Sequence, residues 1–127
     1  MTTNTLLEKA DRALAAARHA LEQGDTETAA DRAYYVVFYA AWGLLEAEGL
    51  PRPKTHNGLI AEFSRLFVKS HRIEPSVGAV LARLQNLRLV ADYTLTSIPE
   101  TDAQRAIREA DAFINAAKAL YICPRAQ

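Results

Sequence analysis

Hydrophobic residues recur at intervals of three and four positions along most of the chain, which is the spacing of one face of an α-helix. In the first segment this face carries leucines and alanines at positions 7, 10, 14, 17 and 21. No alternation of apolar and polar residues typical of a β-strand extends beyond a few residues. The pattern predicts five helices, which are residues 5–23, a segment that Asp25 caps and that ends near Glu48, 55–68, 75–93 and a segment that begins at Thr101.

Short connections rich in glycine and proline separate these segments. Gly24 and Asp25 join the first two helices, and the loop 50–53 contains two prolines, each of which disfavours helical geometry in the residue before it. Long helices joined this tightly are expected to run antiparallel. We therefore predict an all-α fold, an antiparallel helical bundle of four long helices and one short helix, in a single domain over residues 1–127.

The composition is that of a soluble globular protein. Half of the 127 residues are hydrophobic, and 15 basic residues balance 15 acidic ones. The single cysteine, Cys123, cannot form an internal disulfide, which fits a reducing compartment such as the cytoplasm. The N-terminus lacks the basic start and apolar block of a signal peptide. The longest uncharged apolar run, 33–45, is shorter than the roughly 17 to 25 residues of a membrane span, so we expect a buried helix and no membrane partner.

The second helix is apolar or aromatic on almost every face, which exceeds what one bundle core needs. Two stripes run along it, one of small residues and one of aromatic residues: Ala29, Ala33, Val36, Ala40, Gly43 and Ala47, and Tyr35, Tyr39 and Trp42. The helix is either the central one, surrounded by its neighbours, or it presents one face to a second subunit. On the second interpretation we expect a homodimer through the second helix and its neighbours.

Two arginines stand where charged residues are unexpected. Arg32 lies near the start of the second helix, three residues before Tyr35, and Arg88 occupies a core position of the fourth helix. Asp92 follows Arg88 by four residues, so the two can form a brace along the helix beside Tyr93. Alternatively, the guanidinium of Arg88 faces a cleft and binds a phosphate, whose oxygens it matches. The sequence leaves both interpretations open.

His56 lies on the apolar side of the third helix, three and four residues before Leu59 and Ile60. It is either a hydrogen-bonded core residue or, at a helix N-terminus beside Lys54 and Asn57, a group suited to anion binding or proton transfer. No pair among the three histidines has the spacing of metal ligands. We therefore expect no metal and no cofactor.

The net charge is zero, but the charges are unevenly distributed. Residues 50–95 contain seven lysines and arginines and three acidic residues. Five of these cations form a candidate basic patch at the ends of the third helix: Arg52, Lys54, Arg65, Lys69 and Arg72. Such a patch either attracts phosphate or an acidic partner, or is an ordinary solvated face. A net charge of zero argues against a dedicated DNA-binding protein.

Three short motifs occur in order along the chain. They are Ala29-Ala30-Asp31-Arg32-Ala33-Tyr34-Tyr35-Val36-Val37-Phe38, Lys54-Thr55-His56-Asn57-Gly58 and Arg88-Leu89-Val90-Ala91-Asp92-Tyr93. Together they resemble the HEPN family of prokaryotic helical domains, in particular its branch with R-x-A-Y-Y-x-x-F, K-x-H and R-x-x-A-D-Y sequences, over about residues 6 to 121. The resemblance implies an antiparallel bundle that dimerises and is often encoded beside a small nucleotidyltransferase, as a toxin–antitoxin-like two-gene unit.

Some HEPN proteins are metal-independent endoribonucleases that act as toxins, with an arginine, four to six further residues and a histidine at the dimer cleft. Arg88 matches this arginine, but Asp92 and Tyr93 occupy the region of the histidine. The resemblance therefore implies a ribonuclease only if His56 faces the same cleft and transfers protons in place of the missing imidazole. In the toxin branch the nucleotidyltransferase can modify a tyrosine beside the motif, and Tyr93 is the nearest candidate.

Three functions are consistent with the sequence. In the first, Arg32, His56 and Arg88 bind a nucleotide or RNA phosphate or dock a nucleotidyltransferase, with Tyr35 and Tyr93 stacking or forming hydrogen bonds. In the second, a ribonuclease uses Arg88 to stabilise the developing phosphate charge and His56 as acid or base. In the third, the protein is a purely structural dimer and Arg88 belongs to a buried brace. The first is preferred, because the histidine of the ribonuclease motif is missing.

Overall fold

The computed structural model is mainly helical. It describes residues 1–94 and 97–122, and of residue 122 it describes the backbone alone. In chain order the helices are α1 (Thr3–Glu22), α2 (Thr26–Ala47), α3 (His56–Phe63), α4 (Pro75–Gly78), α5 (Val80–Tyr93) and α6 (Glu100–Ile122). A π-helical turn, Ser64–Val68, extends α3. No β-strand occurs in the described ranges. The all-α bundle with four long helices, α1, α2, α5 and α6, is therefore confirmed; Cys123 lies outside the described residues.

Side-chain caps and one glycine fix the points at which the helices begin. Asp25 accepts a hydrogen bond from the Thr28 N–H at 3.1 Å, which satisfies a free donor of the first turn of α2. Gly24, just before it, has φ of +77°, a left-handed conformation that residues with a Cβ rarely adopt. Thr55 accepts from the Gly58 N–H at 2.8 Å and caps α3. The cap makes His56 the first residue of α3 and so fixes its position.

α2 is the centre of the bundle and packs against α1, α3, α5 and α6. Most of its small-residue stripe is fully buried inside the chain, at Ala29, Ala33, Val36 and Ala40. The Thr3 hydroxyl donates a 2.9 Å hydrogen bond to the Gly43 carbonyl, so the start of α1 lies against the end of α2 and the two helices are antiparallel. These small residues therefore serve close packing within one chain and are not available to a second copy.

The aromatic stripe of α2 has a different environment. Tyr35, Tyr39 and Trp42 are half-buried and pack against the edge of the core. The uncharged run 33–45 thus lies within the central helix α2, and the aromatic face of this run is near the surface. Among the described residues no helix is long and apolar enough to cross a bilayer.

Two predicted helices differ from the structure in local geometry. The segment 75–93 is interrupted at Ala79, although the Ala79 N–H still donates to the Pro75 carbonyl at 2.9 Å. At this point Gly78 packs so closely against Val68 that a Cβ at position 78 would overlap the valine side chain. The segment 55–68 is α-helical only to Phe63 and then widens, with the Lys69 N–H bonded to the Ser64 carbonyl. Both differences arise where α4 packs against the π-helical turn.

Candidate functional site

Three side chains from three helices meet at one point, which we call the central cluster: Tyr34 of α2, His56 of α3 and Arg88 of α5. The hydroxyl oxygen of Tyr34 lies 2.6 Å from Nδ1 of His56. The Cζ atom of Arg88 lies 4.9 Å from the centre of the Tyr34 ring. The structure therefore places Arg88 and His56, which are 32 positions apart in sequence, on the same buried tyrosine.

Further rings and cations surround His56. The imidazole stacks on Phe38, with 4.5 Å between ring centres and 18° between ring planes. Arg52 lies over Phe38 at 5.9 Å and over Trp42 at 5.0 Å from the ring centres. Arg52 is thus the member of the predicted basic patch that lies beside the central cluster.

Tyr35 connects the central cluster to the start of α2. The Cζ atom of Arg88 is 5.9 Å from the centre of its ring, and the Cζ atom of Arg32 is 4.8 Å from the same centre. Arg32 also forms an ion pair with Asp31 at 3.1 Å. Both arginines that the sequence singles out therefore flank one half-buried aromatic ring.

The protonation states of Tyr34 and His56 follow from their surroundings. Burial raises the pKa of the Tyr34 hydroxyl well above its usual range, so the hydroxyl keeps its proton. Burial lowers the pKa of His56, and the charges of Arg88 and Arg52 lower it further, which favours the neutral imidazole. In one neutral tautomer the Tyr34 hydroxyl donates to Nδ1 and His56 carries its proton on Nε2, which is then a donor for a ligand. In the other tautomer Nδ1–H donates to the hydroxyl and the Nε2 lone pair is the acceptor.

Arg88 is only partly satisfied by protein groups. Its side chain is 16 % exposed, and its buried Nε has no hydrogen-bond partner among the described residues. The contact between its Nη1 and Asp92 is long, 3.4 Å, and Asp92 is 48 % exposed, so this ion pair is weak. A buried donor without an acceptor costs free energy, and an acceptor brought by a ligand would remove that cost. The protein groups around Arg88 therefore leave its guanidinium incompletely hydrogen-bonded.

One hydrogen bond outside the central cluster sets the distance between α3 and α5. The side-chain amide of Gln85 donates to the side-chain oxygen Oδ1 of Asn57 at 2.6 Å, and Gln85 is buried. Asn57 follows His56 directly, and Gln85 precedes Arg88 by three residues on the same face of α5. This contact therefore positions the histidine and the arginine relative to each other.

The other predicted site residues lie apart from the central cluster. Tyr93, at the end of α5, is 82 % exposed. Arg65 and Arg72 form ion pairs with Glu62 and Glu48 at 2.8 and 3.1 Å. Lys54 and Lys69 are exposed, and the basic patch stays a prediction. Within residues 1–94 and 97–122, no three potential metal ligands converge.

Sequence reasoning missed Tyr34, the residue that both Arg88 and His56 contact. In a helix as apolar as α2, a tyrosine is not distinguished from core residues by spacing alone. The signal that was present is chemical, because a buried tyrosine hydroxyl needs a hydrogen-bond partner. A histidine elsewhere in the chain is an obvious candidate for that partner.

Acidification is expected to destabilise the fold through His56. Because the pKa of His56 is lowered in the folded protein, the unfolded chain binds a proton more readily as the pH falls below about 6.5. The free energy of unfolding should therefore decrease from about pH 7 to pH 5. Urea unfolding of wild type and His56→Gln over this range measures the effect, and the variant should have a shallower pH dependence. His19→Gln, at an exposed position of α1, is the control; equal slopes in all three proteins would contradict the prediction.

The antiparallel helical bundle is the fold that the sequence resemblance implied, and in it residues of the R-x-A-Y-Y, K-x-H and R-x-x-A-D-Y motifs meet at the central cluster. The family model of the HEPN domain matches residues 3–120. The chain therefore belongs to the HEPN family.

Several curated proteins are similar to this chain, and some of them are named as putative toxins. A protein of Methanocaldococcus jannaschii named "Putative toxin MJ0605" is 37 % identical over 113 residues, which cover 89 % of this chain and 84 % of that protein. A Thermotoga maritima protein named "UPF0332 protein" is 35 % identical over 94 residues, or 73 % of this chain and 70 % of that protein. A second Methanocaldococcus jannaschii protein, "Putative toxin MJ0142", is 28 % identical over 118 residues, or 92 % and 80 % of the two chains.

Proposed function

We propose that this chain is the HEPN component of a toxin–antitoxin-like pair and that its central cluster binds a phosphate group of RNA. The observation that carries the proposal is the state of Arg88. Its guanidinium is largely buried, its Nε has no partner among the described residues, and the one acid beside it is half solvent-exposed. A phosphate oxygen supplies the acceptors that this guanidinium lacks.

The groups around Arg88 are suited to bind a phosphate and a nucleic-acid base at the same time. His56 contributes an Nε2–H donor, and Arg52 adds a second positive charge on the same side. Tyr35 is a half-buried ring between two arginines, and such a ring can stack on an unpaired base. Stacking and charge without base-specific hydrogen bonds are typical of single-stranded RNA binding.

The proposed partners of this chain are a second copy of itself and a small nucleotidyltransferase. Because the small-residue stripe of α2 is covered within the chain, the homodimer forms through its neighbour α5, where Val90 is 50 % and Tyr93 82 % exposed. This brings the two Arg88 side chains toward one cleft, as the resemblance implies. In the single chain Tyr93 is exposed, so a modifying nucleotidyltransferase would reach it before the dimer forms. Residues 1–127 act as one domain in the cytoplasm.

A metal-independent endoribonuclease is the alternative, and the position of His56 favours it. In the neutral tautomer whose Nδ1–H donates to the Tyr34 hydroxyl, the Nε2 lone pair of His56 can accept a proton from a ribose 2′-hydroxyl that attacks the adjacent phosphorus. The bond from phosphorus to the 5′-oxygen breaks, and this leaving oxygen takes the proton from His56. Arg88 then stabilises the added negative charge of the phosphate. His56 would take the place of the histidine that the chain lacks after Arg88.

Incubation of labelled single-stranded RNA with wild type and His56→Gln, without metal, separates the two functions. The proposal expects RNA that is bound and intact with wild type, because the histidine of the ribonuclease motif is absent after Arg88. Cleavage that His56→Gln abolishes, and that His19→Gln retains, would establish the alternative. Sedimentation of each protein checks that it is folded and reports the oligomeric state. RNA that is neither bound nor cleaved by wild type would contradict the proposal.

A further inference from the structure

We infer that the groove between α1 and α2 is a second phosphate-binding site, occupied by a single-stranded RNA that also contacts the central cluster. This inference rests on the proposed function and extends it, since it makes the ligand an RNA segment of several nucleotides. The groove, called here the α1–α2 groove, is lined by Lys9 and Arg12 of α1 and by Arg32 and Tyr39 of α2.

The α1–α2 groove combines charge with an aromatic surface. Lys9 and Arg12 are three residues apart and therefore share one face of α1. The Lys9 Nζ lies 5.3 Å from the centre of the Tyr39 ring, which is half-buried. The groove has a volume of about 180 Å³ and is open to solvent. No acidic side chain lines it.

The charges of α1 are separated between two grooves. Glu8 and Asp11 line a different groove, between α1 and α6, where the Lys118 Nζ binds the Asp11 carboxylate at 2.8 Å. Lys9 and Arg12 form no ion pair with any described residue. Glu8 and Asp11 thus lie on the side of α6 and Lys9 and Arg12 on the side of α2, while Arg18, farther along α1, pairs with Asp111 of α6 at 3.6 Å.

The guanidinium of Arg32 is only partly occupied by hydrogen bonds within the protein. Its Nε and Nη2 both donate to the same oxygen of Asp31, at 3.3 and 3.1 Å. Its Nη1 has no partner among the described residues. With Lys9 and Arg12 it gives the groove three cations and only one partnering carboxylate, which lies at its edge. An anion bound between the three cations relieves their mutual repulsion.

Arg32 lines the groove and also contacts the ring of Tyr35, which Arg88 of the central cluster contacts as well. Because Arg32 and Arg88 lie 4.8 and 5.9 Å from the centre of this ring, their Cζ atoms are no more than about 11 Å apart. A nucleic-acid strand advances about 3.4 Å for each phosphate when its bases are stacked, so this span covers about three nucleotides. Tyr35 and Tyr39 provide two rings along the path on which bases can stack.

Charge favours a polyanion over a second copy of the chain at this surface. A two-fold symmetric interface places the same patch of both copies together. The cations Lys9, Arg12 and Arg32 would then face an identical set, and like charges across an interface are unfavourable. A phosphate chain has the complementary charge.

The test compares oligouridylates of two lengths, a dinucleotide and a twelve-nucleotide strand, both 2′-O-methylated so that no cleavage occurs. Fluorescence anisotropy measures their binding to wild type, Arg12→Gln, Arg88→Gln and the control Arg108→Gln, an exposed cation of α6. We expect Arg12→Gln to weaken binding of the long strand about ten-fold and to reduce the slope of log K against log salt by about 0.7. Its binding of the dinucleotide should equal that of wild type and Arg108→Gln.

The outcomes separate this inference from the proposed function. Long-strand binding by Arg12→Gln that matches Arg108→Gln overturns the inference, while loss of dinucleotide binding in Arg88→Gln keeps the central cluster as the phosphate site. Failure of wild type to bind either strand overturns the proposed function itself. Sedimentation in which Arg12→Gln alone dissociates a dimer would assign the α1–α2 groove to a second copy and overturn the inference.

Discussion

Replacing Arg88 by glutamine is expected to weaken the binding of single-stranded RNA about 100-fold, because charge-assisted hydrogen bonds to a phosphate contribute roughly 1.5–3 kcal/mol each. The same change should alter the free energy of unfolding by no more than about 1 kcal/mol, since the ion pair with Asp92 is long and exposed. Removing a buried donor that has no partner also offsets part of the lost cation–π contact with Tyr34. Anisotropy titration and urea unfolding measure the two effects.

Arg83→Gln is the matched control for this experiment. Arg83 lies on the same helix and forms a 2.6 Å ion pair with Glu109, away from the central cluster. Its replacement should leave RNA binding unchanged. The opposite pattern for Arg88→Gln, a loss of more than about 2 kcal/mol of stability with RNA binding intact, would identify Arg88 as a structural brace.

Replacing Phe113 by alanine is expected to lower the free energy of unfolding by about 3–5 kcal/mol. Phe113 of α6 is fully buried, and the centre of its ring lies 5.4 Å from that of Phe63 in α3. The truncation removes the contact between the rings of Phe113 and Phe63 and leaves a cavity between α6 and α3. Phe113→Leu retains most of the volume and should cost less than about 1.5 kcal/mol.

Urea unfolding measures this series, and an unchanged slope with a lower midpoint shows that only the stability has changed. Asn115→Ala, at an exposed position of α6, should remain within about 0.5 kcal/mol of wild type. A Phe113→Ala variant as stable as Asn115→Ala would mean that α6 does not pack against α3 as described.

The helices could be predicted because their signal is local. The repeating apolar face predicts the four long helices, and the caps at Asp25 and Thr55 determine where α2 and α3 begin. The interruption at Ala79 could not be predicted, because it occurs where Gly78 meets Val68, a contact between segments that no local pattern records.

The candidate site could be predicted only as separate residues. Arg88 and His56 are conspicuous because a charge and a titratable ring interrupt apolar faces. Their common contact with Tyr34 depends on how α3 and α5 pack on α2, which the Asn57–Gln85 hydrogen bond helps to fix. Spacing along the chain contains no information on that packing.

The α1–α2 groove cannot be predicted from the sum of the charges along the chain. Residues 1–49 contain four basic and eight acidic residues, which suggests an acidic segment. Three of those four cations, Lys9, Arg12 and Arg32, line one groove. A sum over a segment averages opposite faces of a helix, so a basic surface can lie within an acidic stretch of sequence.

The π-helical turn at Ser64–Val68 gives this part of the gene some freedom to change in length. Its hydrogen bond runs from the Lys69 N–H to the Ser64 carbonyl, five residues back, so the turn holds one residue more than an α-helical turn. Removing one residue between Phe63 and Phe67 would restore ordinary α-helical geometry and keep the two stacked rings on the same face of the helix. Single-residue insertions and deletions accumulated during evolution should therefore occur at this turn as well as in the loop before α3.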